Sequence, residues 1–132
     1  MEQAMSETKI EIVRQKKVLC ICAGGVVRSV SQAEVLKYSF GQDAIAASHE
    51  RNSKKTMDML TKWADIIIVM QPEFATGILK QHQRKIVVND VGPDVWRNPL
   101  DPELRNKCGE FAQELYNKGA FSEKAKKTDP SS

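Results

Sequence analysis

Short apolar runs alternate with amphipathic stretches along most of this chain, and the alternation sets the order of its elements. Lys17-Val18-Leu19-Cys20-Ile21-Cys22 is a near-continuous apolar run that stops at Gly24-Gly25, as a buried parallel strand stops at a tight turn. From Ser29 onward Val30, Ala33, Leu36 and Phe40 recur at helical spacing, so a helix is expected to start at or just after Arg28, and Gly41 closes the pattern. Ala44-Ile45-Ala46-Ala47-Ser48 reads as a second strand, followed by a helix around Asn52 to Trp63. The third strand is Asp65-Ile66-Ile67-Ile68-Val69-Met70, rich in β-branched residues, and Pro72 then opens a third helix through Leu79. Lys85-Ile86-Val87-Val88-Asn89 is a fourth strand. Asp101-Pro102, a good N-cap and first-turn pair, starts a final helix whose Leu104, Cys108, Phe111 and Leu115 form an inward stripe.

Strands alternating with helices predict an α/β domain with a four-stranded parallel sheet and helices on both faces. In such sheets ligands bind beyond the carboxyl ends of the strands, which is where the segment from Cys22 to Arg28 falls. The core domain is expected over residues 17–121. Residues 1–16 form an N-terminal extension in which Ile10, Ile12 and Val13 suit either a short helix or an edge strand. The tail over residues 122–132, rich in Lys and Ser and without apolar period, is predicted to be disordered.

Composition changes this picture little. A length of 132 residues fits one compact domain, and 41% hydrophobic with 28% charged residues is ordinary for a soluble chain. A net charge of +3 is too mild to imply nucleic acid or an anionic membrane as partner. No apolar stretch reaches the roughly 18 residues a spanning helix needs, and the first residues are polar, so a cytoplasmic location is expected. The cysteines Cys20, Cys22 and Cys108 are an odd set without framework spacing, which suits free thiols in a reducing compartment.

Chemistry concentrates in Cys22-Ala23-Gly24-Gly25-Val26-Val27-Arg28-Ser29. A Cys-x5-Arg segment between a strand and a helix supplies what phosphoryl transfer to sulfur requires: a nucleophile and donors around the equatorial oxygens. Gly24 and Gly25 let successive N–H groups turn inward as an anion nest, and the first turn of the helix adds partial positive charge. Arg28 can fork onto two phosphate oxygens. The same surroundings favour the nucleophilic thiolate of Cys22, and Ser29 stands where it can hydrogen-bond to it. Cys-x5-Arg alone is a weak signal; its place after a buried strand and before a helix raises it.

Val18 to Cys22 through Arg28-Ser29 and Gln32-Ala33-Glu34 resembles the low-molecular-weight protein tyrosine phosphatases, whose signature is Cys-x5-Arg-Ser at the end of the first strand. Ala64-Asp65 through Met70 looks like that family's later strand, and the resemblance runs loosely from Val18 to Tyr116. It implies phosphomonoester hydrolysis through a phosphocysteine, of the protein tyrosine phosphatase kind, with no cofactor and no metal. The implied partner is a phosphorylated protein or a small phosphomonoester. It also implies a general acid on the loop before the last helix. Asp94 is chosen by position, with Asp90 and Asp101 as rivals that have simpler readings as a strand end and an N-cap. A carboxyl group beside a phosphate dianion tends to keep its proton. Trp96 stands where the family carries an aromatic wall, and His49, after the second strand, is a further wall candidate. The chain departs from the family at Gly25 in place of Asn, Val27 in place of a second loop Cys, Val30 in place of Pro, and Asp94-Val95 in place of Asp-Pro.

Three other readings stay open: an arsenate reductase-like enzyme, for which Cys108 is the distant thiol; a phosphocysteine carrier; and a noncatalytic phosphate-binding module. Cys20 and Cys108 are expected in the core. His82, Lys54-Lys55 and the Lys124, Lys126 and Lys127 group are expected at the surface.

Overall fold

The computed structural model describes residues 15–24, 27–93 and 95–121. The strands are β1 (Lys17–Cys22), β2 (Asp43–Ser48), β3 (Ile66–Val69) and β4 (Ile86–Val88), joined in one parallel sheet of order β2-β1-β3-β4. The helices are α1 (Arg28–Phe40), α2 (Lys54–Trp63) and α3 (Pro102–Asn117). Because β2 lies on one side of β1 and β3 on the other, right-handed crossovers put α1 and α2 on opposite faces. The predicted fold class is therefore the one observed. The N-terminal extension up to Arg14 and the tail from Ser122 lie outside the described residues, as do Gly25, Val26 and Asp94.

β1 is central, and Val18, Leu19, Cys20 and Ile21 are fully buried between the two helical layers. Ile67, Ile68 and Val69 of β3 are buried beside it, which is why both strands read as unbroken apolar runs. Local chemistry sets the helix ends. Ser53 caps α2 by accepting from the Thr56 amide at 3.1 Å, and Asp101 caps α3 by accepting from Glu103 and Leu104 at 2.9 and 3.2 Å. Gly41 ends α1 at φ 67°, a left-handed conformation that glycine adopts without strain.

Two expectations change. The helix expected from Pro72 to Leu79 is a single 3-10 turn, Pro72–Ala75, followed after Gly77 by a second 3-10 segment, Lys80–Lys85. Phe74 and Ile78, four apart and both buried, imitate a helical face, but Thr76 is extended and Gly77 sits at φ 92°, so the turn cannot propagate. The fourth strand is also shorter than expected, because the backbone of Lys85 still belongs to the second 3-10 segment, while its Nζ donates to the Thr61 carbonyl near the end of α2 at 2.9 Å.

The inward face of α1 is more polar than its apolar pattern suggests. Arg28, Ser29, Ser31 and Gln32 are all buried, whereas Val30 is only half-buried. The buried amide of Gln32 donates to the Cys108 carbonyl of α3 at 3.2 Å and accepts from Asn89 Nδ2 at 2.7 Å. One side chain thus ties α1 to α3 and to the residue following β4.

Candidate active site

The carboxyl ends of the strands converge as the parallel topology requires. β1 ends at Cys22, opposite Ser48 at the end of β2. The turn after β2 then grips the start of the segment from Cys22 to Arg28. His49 N–H donates to the Cys22 carbonyl at 2.8 Å and Glu50 N–H to the Ala23 carbonyl at 3.1 Å. Ser48 Oγ adds a donor to the Ala23 carbonyl at 2.7 Å and accepts from the Arg51 amide at 2.8 Å. Asn52 closes the turn by accepting from the Ser48 amide at 2.7 Å. The backbone carbonyls of Cys22 and Ala23 are thereby both hydrogen-bonded to the turn after β2.

Cys22 is buried, and its Sγ lies 3.2 Å from Ser29 Oγ across the segment, as the Cys-x5-Arg-Ser spacing implies. Val27 precedes α1 and offers no side-chain cap, so the first-turn amides of α1 lack the usual internal acceptor. A helix start of this kind suits an anion.

Arg28 is only 1% exposed, an unusual state for a guanidinium, and its surroundings explain it. Nη1 donates to Gln71 Oε1 at 2.6 Å and to the Gly92 carbonyl at 2.9 Å. Cζ lies 5.5 Å from the centre of the Phe74 ring, a cation–π contact in a desolvated setting. Arg28 therefore joins three loops: its own, the 3-10 turn after β3 that carries Gln71 and Phe74, and the segment after β4 that carries Gly92.

His49 is half-buried, and its ring lies 5.4 Å from that of Phe74, tilted by 35°. The lone histidine of the second loop is thus a neighbour of Arg28's aromatic support. Trp96 packs partly buried against the hydrophobic core, two residues beyond Asp94. The rivals for the acid role carry structural duties: Asp90 Oδ1 accepts from the Gly92 amide at 3.0 Å, and Asp101 caps α3. Asp94 itself, with Gly25 and Val26, lies outside the described residues.

Cys20 and Cys108 are fully buried in the core. Burial pushes the Cys108 thiol up to about 11 and raises that of Cys20 well above its ordinary value. His82 lies in the second 3-10 segment, and Lys54 pairs with Asp58 one turn along α2 at 3.0 Å. Among the described residues, no group of three or more His, Cys, Asp or Glu side chains is arranged to hold a metal ion, and no helix is long and apolar enough to cross a membrane.

Ser48, Gln71, Phe74 and Gly92 were not legible as site residues in the sequence. Gln71 and Phe74 follow β3, a position from which a parallel sheet delivers residues to the same edge, and that topological rule was the available signal.

No family model matches the chain, and no curated protein matches it significantly. Solved structures do. The Vibrio vulnificus Wzb in complex with benzylphosphonate is 19% identical, with a TM-score of 0.60 over 79% of this chain and 99% of its own. The tyrosine phosphatase Wzb from Escherichia coli K30, in complex with phosphate, is 16% identical, with a TM-score of 0.58 over 79% of this chain and 98% of its own. The YwlE arginine phosphatase from Geobacillus stearothermophilus is 14% identical, with a TM-score of 0.55 over 80% of this chain and 96% of its own. The likeness is one of fold: this chain has the low-molecular-weight phosphatase architecture, in a form divergent in sequence.

Proposed function

We propose that the chain hydrolyses phosphomonoesters through a phosphocysteine. The observation that carries this reading is the Cys22 thiol at the carboxyl end of the central strand, with the Ser29 hydroxyl 3.2 Å away and the adjacent Arg28 buried. In the proposed reaction the Cys22 thiolate attacks phosphorus, the ester P–O bond breaks, and the Asp94 carboxyl gives its proton to the departing oxygen. The loop amides, the start of α1 and Arg28 stabilise the charge on the equatorial oxygens. Water, deprotonated by the Asp94 carboxylate, then attacks the phosphocysteine, and the P–S bond breaks as the Ser29 hydroxyl rotates to donate to the leaving sulfur. Asp94 is preferred because Asp90 and Asp101 already accept backbone hydrogen bonds.

Substrates would be phosphorylated proteins or small phosphomonoesters, and tyrosine phosphate is the class that the Wzb likeness favours. Thiol relay of the arsenate reductase kind is disfavoured, because the Cys20 and Cys108 thiols are fully buried and held protonated.

The test is turnover of an aryl phosphate by the wild-type chain, Cys22→Ser and Asp94→Asn. Cys22→Ser is expected to abolish turnover while phosphate or vanadate binding stays measurable; unchanged turnover excludes the mechanism. Asp94→Asn is expected to lower kcat by about 100-fold, within the range typical of lost general acid catalysis. Tight phosphate binding with no turnover in the wild-type chain would instead favour a noncatalytic binding module.

A further inference from the structure

Arg28 and Gln32 lie four residues apart on α1, and both are bonded to the short segment that follows β4. Arg28 Nη1 donates to the Gly92 carbonyl at 2.9 Å, and Gln32 Oε1 accepts from Asn89 Nδ2 at 2.7 Å. Residues at that spacing share a helix face, so one face of α1 holds both ends of the segment from Asn89 to Gly92. Between those ends Asp90 Oδ1 accepts from the Gly92 amide at 3.0 Å, and Gly92 stands at φ 96°, so the segment is drawn into a tight turn. The bonds close a ring that runs from Arg28 to Gly92, through the turn to Asn89, across to Gln32 and back along the helix.

The direction of the amide bond in this ring is fixed. Gln32 Nε2 donates to the Cys108 carbonyl at 3.2 Å, and a backbone carbonyl can only accept, so the Gln32 oxygen is turned toward Asn89. Asn89 is held in turn by its own backbone amide, which donates to the Val69 carbonyl of β3 at 2.9 Å. Gln32 is fully buried and Asn89 nearly so. An apolar pair could fill this space without losing hydration, but it would specify neither a distance nor a direction.

We propose that Gln32 and Asn89 are positioning residues for Arg28. Their bond sets the height of the segment after β4 along α1, and with it the place where the Gly92 carbonyl receives the guanidinium. The inference rests on the phosphatase reading above, in which the fork of Arg28 meets the equatorial oxygens of a phosphate, and it names the pair that keeps the fork aligned. A misplacement of about 1 Å can cost on the order of 100-fold in rate, so a bond that never touches the substrate is felt in the reaction.

Asn89→Ala and Gln32→Met each remove the bond, and the double variant removes both partners. Leu115→Ala, a cavity near the C-terminal end of α3, is the control for lost stability. For the wild type and each variant, kcat and KM for an aryl phosphate are measured well below the lowest thermal midpoint. The Arg28 Nε–H resonance, assigned by its loss in Arg28→Lys, is followed by NMR in the free protein. Each single variant is expected to lower kcat/KM by about 10-fold or more and to move the Arg28 resonance. The double variant is expected to lose no more than about 3-fold beyond the larger single loss, because the pair acts as a unit. Leu115→Ala is expected to lower the midpoint at least as far, yet to keep kcat/KM within about 2-fold and the resonance in place. An unmoved resonance in Asn89→Ala, kcat/KM within about 2-fold of an active wild type, losses that multiply in the double variant, or an equal kinetic loss in Leu115→Ala each overturn the proposal. If the wild type turns over no aryl phosphate, the phosphatase reading fails, and the resonance alone decides whether the pair positions Arg28.

Discussion

The Nη1 of Arg28 lies 2.9 Å from the carbonyl oxygen of Gly92, so the residue that ends the Cys-x5-Arg segment also holds the segment that precedes Asp94. Through this one bond the part of the chain that would bind a phosphate and the part that would protonate its leaving group share an anchor.

A lysine at position 28 would keep the charge but lose the planar fork, so it could not serve Gln71 and Gly92 while also engaging phosphate oxygens. Arg28→Lys is therefore expected to lower kcat/KM by about 100-fold or more, comparable to the loss of an oxyanion donor elsewhere. Steady-state kinetics on an aryl phosphate, beside circular dichroism to verify folding, measures it. A decrease below 5-fold would show that the site does not depend on the fork.

The bond from Asn89 to Gln32 is buried at both ends and links the residue after β4 to α1. Asn89→Ala removes the donor and leaves Gln32 Oε1 buried without it, a change that costs about 1–3 kcal/mol. The urea unfolding midpoint should fall accordingly with the slope unchanged. Stability equal to that of the wild type would mean that water replaces the lost donor.

Alkaline pH provides a third test. The Cys108 thiol is raised by burial from 9.0 to about 11 in the folded chain. Between those values the unfolded chain releases the proton while the folded chain keeps it. Stability is therefore complete below pH 9 and declines as pH rises toward 11, by a total on the order of 2–3 kcal/mol. Cys20 acts in the same direction. Cys108→Ala should show a shallower decline of the thermal midpoint between pH 9 and 11, whatever its midpoint at neutral pH. An identical slope in the two proteins would contradict the assignment.

Much of the architecture was readable because it depends on local pattern. β1 and β3 are buried on both faces, so each must be a continuous apolar run, and the Asp101-Pro102 and Gly41 helix boundaries follow from the capping chemistry of single residues. The segment after β3 was misread for a related reason. Phe74 and Ile78 have helical spacing, but both are drawn inward by tertiary packing around a chain that turns at Gly77.

The candidate site divides along the same line. Cys22, Arg28 and Ser29 lie within eight residues of one another, so the sequence by itself determined that all three would sit about the turn between a strand and a helix, where the Cys22 thiol and the Ser29 hydroxyl do meet. It also determined the alternation of elements that places this turn at the carboxyl edge of a parallel sheet. Only the tertiary structure decided what stands around that turn: Gln71, Phe74 and Gly92 come to Arg28 from 43 to 64 positions away, and Ser48 to Ala23 from 25. The physical reason is that hydrogen bonds and ring contacts over such separations arise from the register of β1 against β2 and β3, and register is a property of the assembled sheet.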